Sequence, residues 1–185
     1  MAWKPEEIAA LRELAGVYRL DGGCWAVLRV KDKSIPPGKT DAWPEGVEYS
    51  WAILMPGQAP TLRGERMAGV DNADDSIVRK ESEKLPLGPQ HRAHEHKPDW
   101  KRIKIVAEQE WPLAGKATRL AVAPASPGDL WNECMRCLEQ LFEELGLNVP
   151  TSAELMEART TEEDFQQMQS TLRVKAKRDG LVPGR

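Results

Sequence analysis

Between residues 47 and 55 the side chains alternate with a period of two: Val47, Tyr49, Trp51, Ile53 and Met55 fall on one side, and Glu48 and Ser50 open the other. That pattern predicts a β-strand laid on a core, and the uninterrupted apolar face predicts a central place in the sheet. A hairpin is predicted before it, from Val17–Leu20 and residues 25–31 around the turn Asp21-Gly22-Gly23, with Ala26, Leu28 and Val30 alternating against more polar neighbours. A further strand is predicted from Leu62 to Val70, and two more over residues 101–107 and 117–122. The prolines and glycines from Asp32 to Gly46 mark a loop, and Asp71-Asn72-Ala73-Asp74-Asp75 breaks regular structure. From there to about Trp100 the chain is polar and is expected to be a long loop, of the kind that carries function or stays disordered.

Helical spacing appears in three places. Pro5 and the acidic Glu6 and Glu7 open a short helix over residues 5–14, with Ile8, Leu11 and Leu14 on one face and Gly16 as its stop. Ser126-Pro127-Gly128-Asp129 is a helix start, and Leu130, Cys134, Cys137, Leu138, Leu141 and Leu145 then form an apolar face that Gly146 closes. This helix should pack on the sheet. Past Pro150, residues 152–159 and 161–177 predict two polar helices, the second with Phe165, Met168 and Leu172 as a stripe too thin to hold a free helix in water. The fold class expected is therefore α+β: an antiparallel sheet with a packed helix over residues 1–148, and a helical C-terminal appendage over 149–185.

Composition narrows the function classes. A chain of 185 residues closes one core rather than two. Charged residues make up 30% of it, yet the formal net charge is only -3, so any nucleic-acid binding must come from a local basic patch. No apolar run is long enough to span a bilayer, and Glu6 and Glu7 stand where a secretory signal would be basic and then apolar; a cytoplasmic protein without membrane contact is expected. The 3 cysteines, Cys24, Cys134 and Cys137, show no disulfide spacing and suit a reducing compartment. Cys134 and Cys137 share the apolar face of their helix, which predicts packing rather than zinc binding. Of the 7 tryptophans, Trp51 reads as core, whereas Trp43 and Trp100 sit among loop residues.

All 3 histidines lie in His91-Arg92-Ala93-His94-Glu95-His96. Imidazole titrates near neutrality, so a pair held beside a phosphate can move protons in both directions during RNA cleavage by 2′-hydroxyl attack. His94 and His96 are the expected base and acid, Arg92 the neutraliser of phosphate charge, and Asp71 with Asn72 the groups that orient the site. Lys97, Lys101 and Arg102 are expected to bind substrate phosphates, in a stretch from Ser76 to Ile105 where basic residues outnumber acidic ones. Two other readings stay open: a solvated histidine-rich loop, and a metal site in which His94 and His96 join the carboxylates of Asp71, Asp74 or Asp75. The metal-free reading, with no cofactor, is the one adopted.

The order of Gly46-Val47-Glu48-Tyr49-Ser50, Gly69-Val70-Asp71-Asn72-Ala73, His94-Glu95-His96 and a closing helix resembles the TumE-like family of small toxins from prokaryotic toxin–antitoxin modules. The resemblance covers about residues 16–145. It departs from the family pattern in a long insert between Asn72 and His94 and in the segment after Pro150. It implies growth inhibition through RNA, with a cognate antitoxin as protein partner. The function expected is thus a toxin-like ribonuclease working by metal-independent acid/base cleavage. The alternative is a non-enzymatic interaction protein, an accessory subunit or inhibitor from a phage or defence locus, that binds a larger complex.

Overall fold

The structure, a computed structural model, describes residues 3–33, 46–57, 65–73, 92–161, 163–167 and 170. Among these, seven strands form one antiparallel sheet in the order β6-β5-β4-β3-β2-β1-β7. In chain order they are β1 (Gly16–Arg19), β2 (Trp25–Asp32), β3 (Val47–Leu54), β4 (Arg66–Asp71), β5 (His94–Val106), β6 (Gln109–Arg119) and β7 (Arg159–Thr160). Helix α1 covers Pro5–Leu14, α2 covers Pro127–Leu145 and α3 covers Ser152–Glu157; residues 163–167 are also helical. The α+β class expected from the sequence is the class observed.

The strand with the strictest alternation, β3, lies in the middle of the order, as its pattern requires. Val47, Tyr49, Trp51 and Ile53 are all fully enclosed, and with Val70 of β4 they meet Leu130, Cys134, Cys137, Leu138 and Leu141 of α2. Helix α2 starts where Ser126 Oγ accepts the backbone N–H of Asp129 at 3.1 Å and ends at Gly146, whose φ of 66° suits the left-handed cap position. The second face of the sheet holds a smaller apolar group, Val17, Val27, Ala52 and Leu54, and Phe165 from the C-terminal helical stretch packs on it. Residues Met168 and Leu172 of the same stripe lie outside the described residues.

Two parts of the chain differ from their sequence pattern. The segment around His94 and His96 is not loop: β5 begins at His94 and pairs with β6 in one long hairpin, in place of two separate short strands. Its turn is Ala107-Glu108, with φ of 49° and 64°, the left-handed pair that a two-residue hairpin turn demands. Further along, the predicted helix over 152–159 stops at Glu157, and Arg159–Thr160 pairs with β1 at the far edge of the sheet. There Arg159 Nη1 donates to the carbonyl oxygens of Glu13 and of Ala15, tying the C-terminal segment to the end of α1.

Candidate functional site

Strands β4 and β5 run antiparallel with Asp71 opposite His94, Val70 opposite Glu95 and Gly69 opposite His96. Side chains alternate between faces, so Val70 and Glu95 point toward α2, where Glu95 receives Arg136 at 2.8 Å. Asp71, His94 and His96 therefore share the opposite face. His94 and Asp71 are buried there at 1% and 3% exposure, an unusual depth for polar side chains on a sheet. The side chain of His96 keeps 12%.

The three groups close on one another. His94 Nε2 stands 2.8 Å from Asp71 Oδ1, and His96 Nε2 stands 3.7 Å from Asp71 Oδ2. The two rings meet edge to face with centroids 5.1 Å apart. Each ring is fixed from behind: His94 Nδ1 lies 2.7 Å from the carbonyl oxygen of Arg92, and His96 Nδ1 lies 3.0 Å from that of Gly115. A carbonyl oxygen can only accept, so hydrogen-bond logic assigns the Nδ1 proton in both rings and turns both Nε2 atoms toward Asp71.

A fourth residue, Arg66, completes the cluster by donating from Nη1 to Asp71 Oδ2 at 2.6 Å. Its side chain runs over Gly69: a Cβ there would lie 2.9 Å from Arg66 Cδ and would collide with the backbone oxygen of Trp51. Glycine is needed at this place for lack of room. Burial acts to raise the pKa of Asp71, but the hydrogen bond and charge of His94, followed by the charge and hydrogen bond of Arg66, hold it well below the usual carboxylate range. Burial, helped by the charge of Arg66, pushes His96 below its ordinary value, against the contrary pull of Gly115 and Asp71.

The sequence expectation placed eight residues in one site, and the structure brings together three of them. Asp71, His94 and His96 converge. Arg92 reaches the cluster through its backbone carbonyl, which anchors the His94 ring. Asn72 is a bracket between strands: Oδ1 accepts the N–H of Tyr49 at 2.8 Å, Nδ2 donates to the carbonyl of Val47 at 2.9 Å, and its own N–H donates to the carbonyl of Tyr49 at 3.2 Å. Lys97 sits on the α2 face with Glu95, at 3.2 Å. Lys101 and Arg102 belong to a bulge, because Asp99 pairs with Leu113 and Ile103 with Pro112, leaving three residues of β5 unmatched. They lie five and six residues beyond His96, roughly 15–20 Å along an extended strand. His91, Asp74 and Asp75 are outside the described residues.

Arg66 was not singled out from the sequence. Nothing in its spacing to Asp71 marks it, and only the small residue at Gly69 hinted that something crosses the strand there. On the other face of β5 a cavity of about 380 Å³ is lined by Glu95, Lys97, Trp100, Cys137, Gln140 and Glu144, among others. Its carboxylates make it a poor receptor for phosphate. No described helix is long and apolar enough to cross a membrane. Compared with known proteins, the chain matches no family model, no curated protein and no solved structure.

Proposed function

We propose that the protein is a toxin-type enzyme that cleaves the phosphodiester backbone of RNA, with Asp71, His94, His96 and Arg66 as its reacting centre. The observation that carries this reading is the convergence of two imidazole Nε2 atoms on one buried carboxylate, an arrangement costly to bury unless it is used. RNA as substrate rests on the likeness of Gly69-Val70-Asp71-Asn72-Ala73 and His94-Glu95-His96 to the TumE-like toxins. That likeness also makes the cytoplasm the place of action and an antitoxin the partner.

Burial redistributes the roles within the pair. His94 is enclosed and both its ring nitrogens face acceptors, which suits a positioning residue. His96 is the more accessible ring, and a pKa below its ordinary value favours the neutral form near pH 7, with the Nε2 lone pair turned toward Asp71. Arg66 carries the fixed positive charge beside it. Induced expression of the wild type beside His96→Gln and Asp71→Asn, with growth and total RNA followed, tests the reading. Growth arrest and RNA loss confined to the wild type are expected; arrest by all three would remove the site from the mechanism.

The non-enzymatic reading draws on a different observation. Trp100, Ile103 and Ile105 are exposed large apolar side chains on one strand, interleaved with Lys101, Arg102 and Lys104. Such a strip suits a protein partner. It is favoured if the wild type arrests nothing and leaves RNA intact while co-purifying with one stoichiometric protein.

A further inference from the structure

We infer that Asp71, His94 and His96 are the protein ligands of one divalent transition-metal ion, of the zinc or manganese kind. The inference builds on the reading that this cluster is the reacting centre, and it concerns what that centre holds. One carboxylate oxygen and two imidazole nitrogens lie within 4.8 Å of one another. Two donors about 2.1 Å from a shared ion, at right-angle or tetrahedral geometry, stand roughly 3.0–3.4 Å apart. The separation of His94 Nε2 and Asp71 Oδ1, 2.8 Å, lies close to that interval, and His96 Nε2 comes within 3.7 Å of the same carboxylate at Oδ2.

The orientation of the rings is the stronger argument. With Nδ1–H given to the carbonyls of Arg92 and Gly115, both rings turn Nε2 toward one carboxylate, and a neutral His96 presents a lone pair to an oxygen that also presents lone pairs. Acceptors that face each other repel unless something positive sits between them. A single proton answers this for His94 and Asp71; it leaves the second ring, turned independently by a carbonyl from another strand, aimed at the same carboxylate. One cation answers it for all three. Metal-binding histidines are held in this way, the far nitrogen donating to a backbone carbonyl so that the near one is oriented and made more basic.

The scaffold and the donor types agree with this. The ligands come from facing positions of paired strands, β4 and β5, so their spacing is set by the ladder and not by a loop. Arg66 occupies Asp71 Oδ2 and acts as the outer partner of the ligating carboxylate. Two imidazoles out of three donors favour zinc, iron, manganese or cobalt over magnesium and calcium, which take oxygen ligands. When bound, such an ion would supply Lewis-acid chemistry toward a phosphate oxygen.

The full chain, stripped with chelator and dialysed, is titrated with zinc in competition with a chromophoric chelator, and with manganese and magnesium by calorimetry. One equivalent of zinc is expected, with affinity falling at least tenfold in Asp71→Asn and in His96→Gln and unchanged in Cys134→Ser. Should the variants fail to fold, the wild type decides alone: in nitrogen-detected spectra of the histidine rings, zinc must move the Nε2 signals of His94 and His96 together. Binding well below one equivalent, or binding that leaves both Nε2 signals in place, overturns the inference. RNA cleavage that survives chelator in protein that binds no zinc sinks the metal site and spares the enzyme reading. Zinc held at these residues without any RNA cleavage does the opposite.

Discussion

Asn72→Ala separates a structural bracket from a catalytic group. The side chain is fully buried and spends both ends of its amide on β3, accepting from Tyr49 N–H at 2.8 Å and donating to Val47 C=O at 2.9 Å. Alanine leaves one buried donor and one buried acceptor without these partners, at about 1–3 kcal/mol each, so about 2–6 kcal/mol in all. Against a total stability of about 5–15 kcal/mol, that is a large share. Asn72→Asp should cost more still, because it sets a carboxylate oxygen against the Val47 carbonyl and buries a charge. Urea unfolding followed by tryptophan fluorescence reads the effect directly, since Trp51 lies in the affected strand. A midpoint shift worth less than about 0.5 kcal/mol, together with lost activity, would refute the reasoning and return Asn72 to the site.

Leu138→Ala, which opens a void between α2 and the sheet, should cost about 2–5 kcal/mol in the same assay; a change under about 0.5 kcal/mol would mean that the helix packs elsewhere. Cys24 and Cys137 are pushed up to about 12 by burial, so iodoacetamide at pH 8 should label both far more slowly in native than in urea-unfolded protein. Equal labelling rates in the two states would contradict their enclosure. Burial tends to raise the pKa of Glu48, but Lys31 and Lys33 outweigh it and hold the carboxyl below its ordinary 4.5. A depressed folded pKa means stability that is present above pH 4.5 and lost as pH falls through the folded value. Glu48→Gln should therefore lower the melting temperature at pH 7 and flatten its fall below pH 4.5; a parallel fall in both proteins would rule the contribution out.

The parts of the fold that were legible were those where local pattern and tertiary role coincide. Strand β3 alternates because one face meets α2, and Ser126 and Gly146 bracket α2 because helix ends need a cap and a left-handed exit. Strand β5 was hidden for the opposite reason. From His94 to Arg102 it carries polar or charged residues on both faces, most of its positions are not buried, and no apolar period of two survives. Pairing with β4 and β6 makes it a strand, and pairing is not written in its own residues. Its turn, Ala107-Glu108, lacks the glycine or asparagine that advertises a two-residue hairpin. The same pairing explains the site. That Asp71 and the histidines could meet followed from two neighbouring strands, whereas Arg66 enters through a register shift between Ile53 and Leu54 that no sequence spacing announces.

The ring of His96 is fastened to Gly115, which belongs to β6, the strand at the rim of the sheet. Strands at a rim detach and reattach far more often than the whole chain unfolds. Beside His96 the ladder is already irregular, its register shifting between His96 and Pro98. The ring of His94, on the same strand, is instead held by Asp71 of β4 and the carbonyl of Arg92, although its backbone also pairs with Arg119 of β6. Loosening of β6 at Gly115 therefore removes the anchor of one imidazole and spares the partners of the other ring. The cluster is thus held unevenly, one ring fastened from the rim strand and the other from β4 and the chain just before β5.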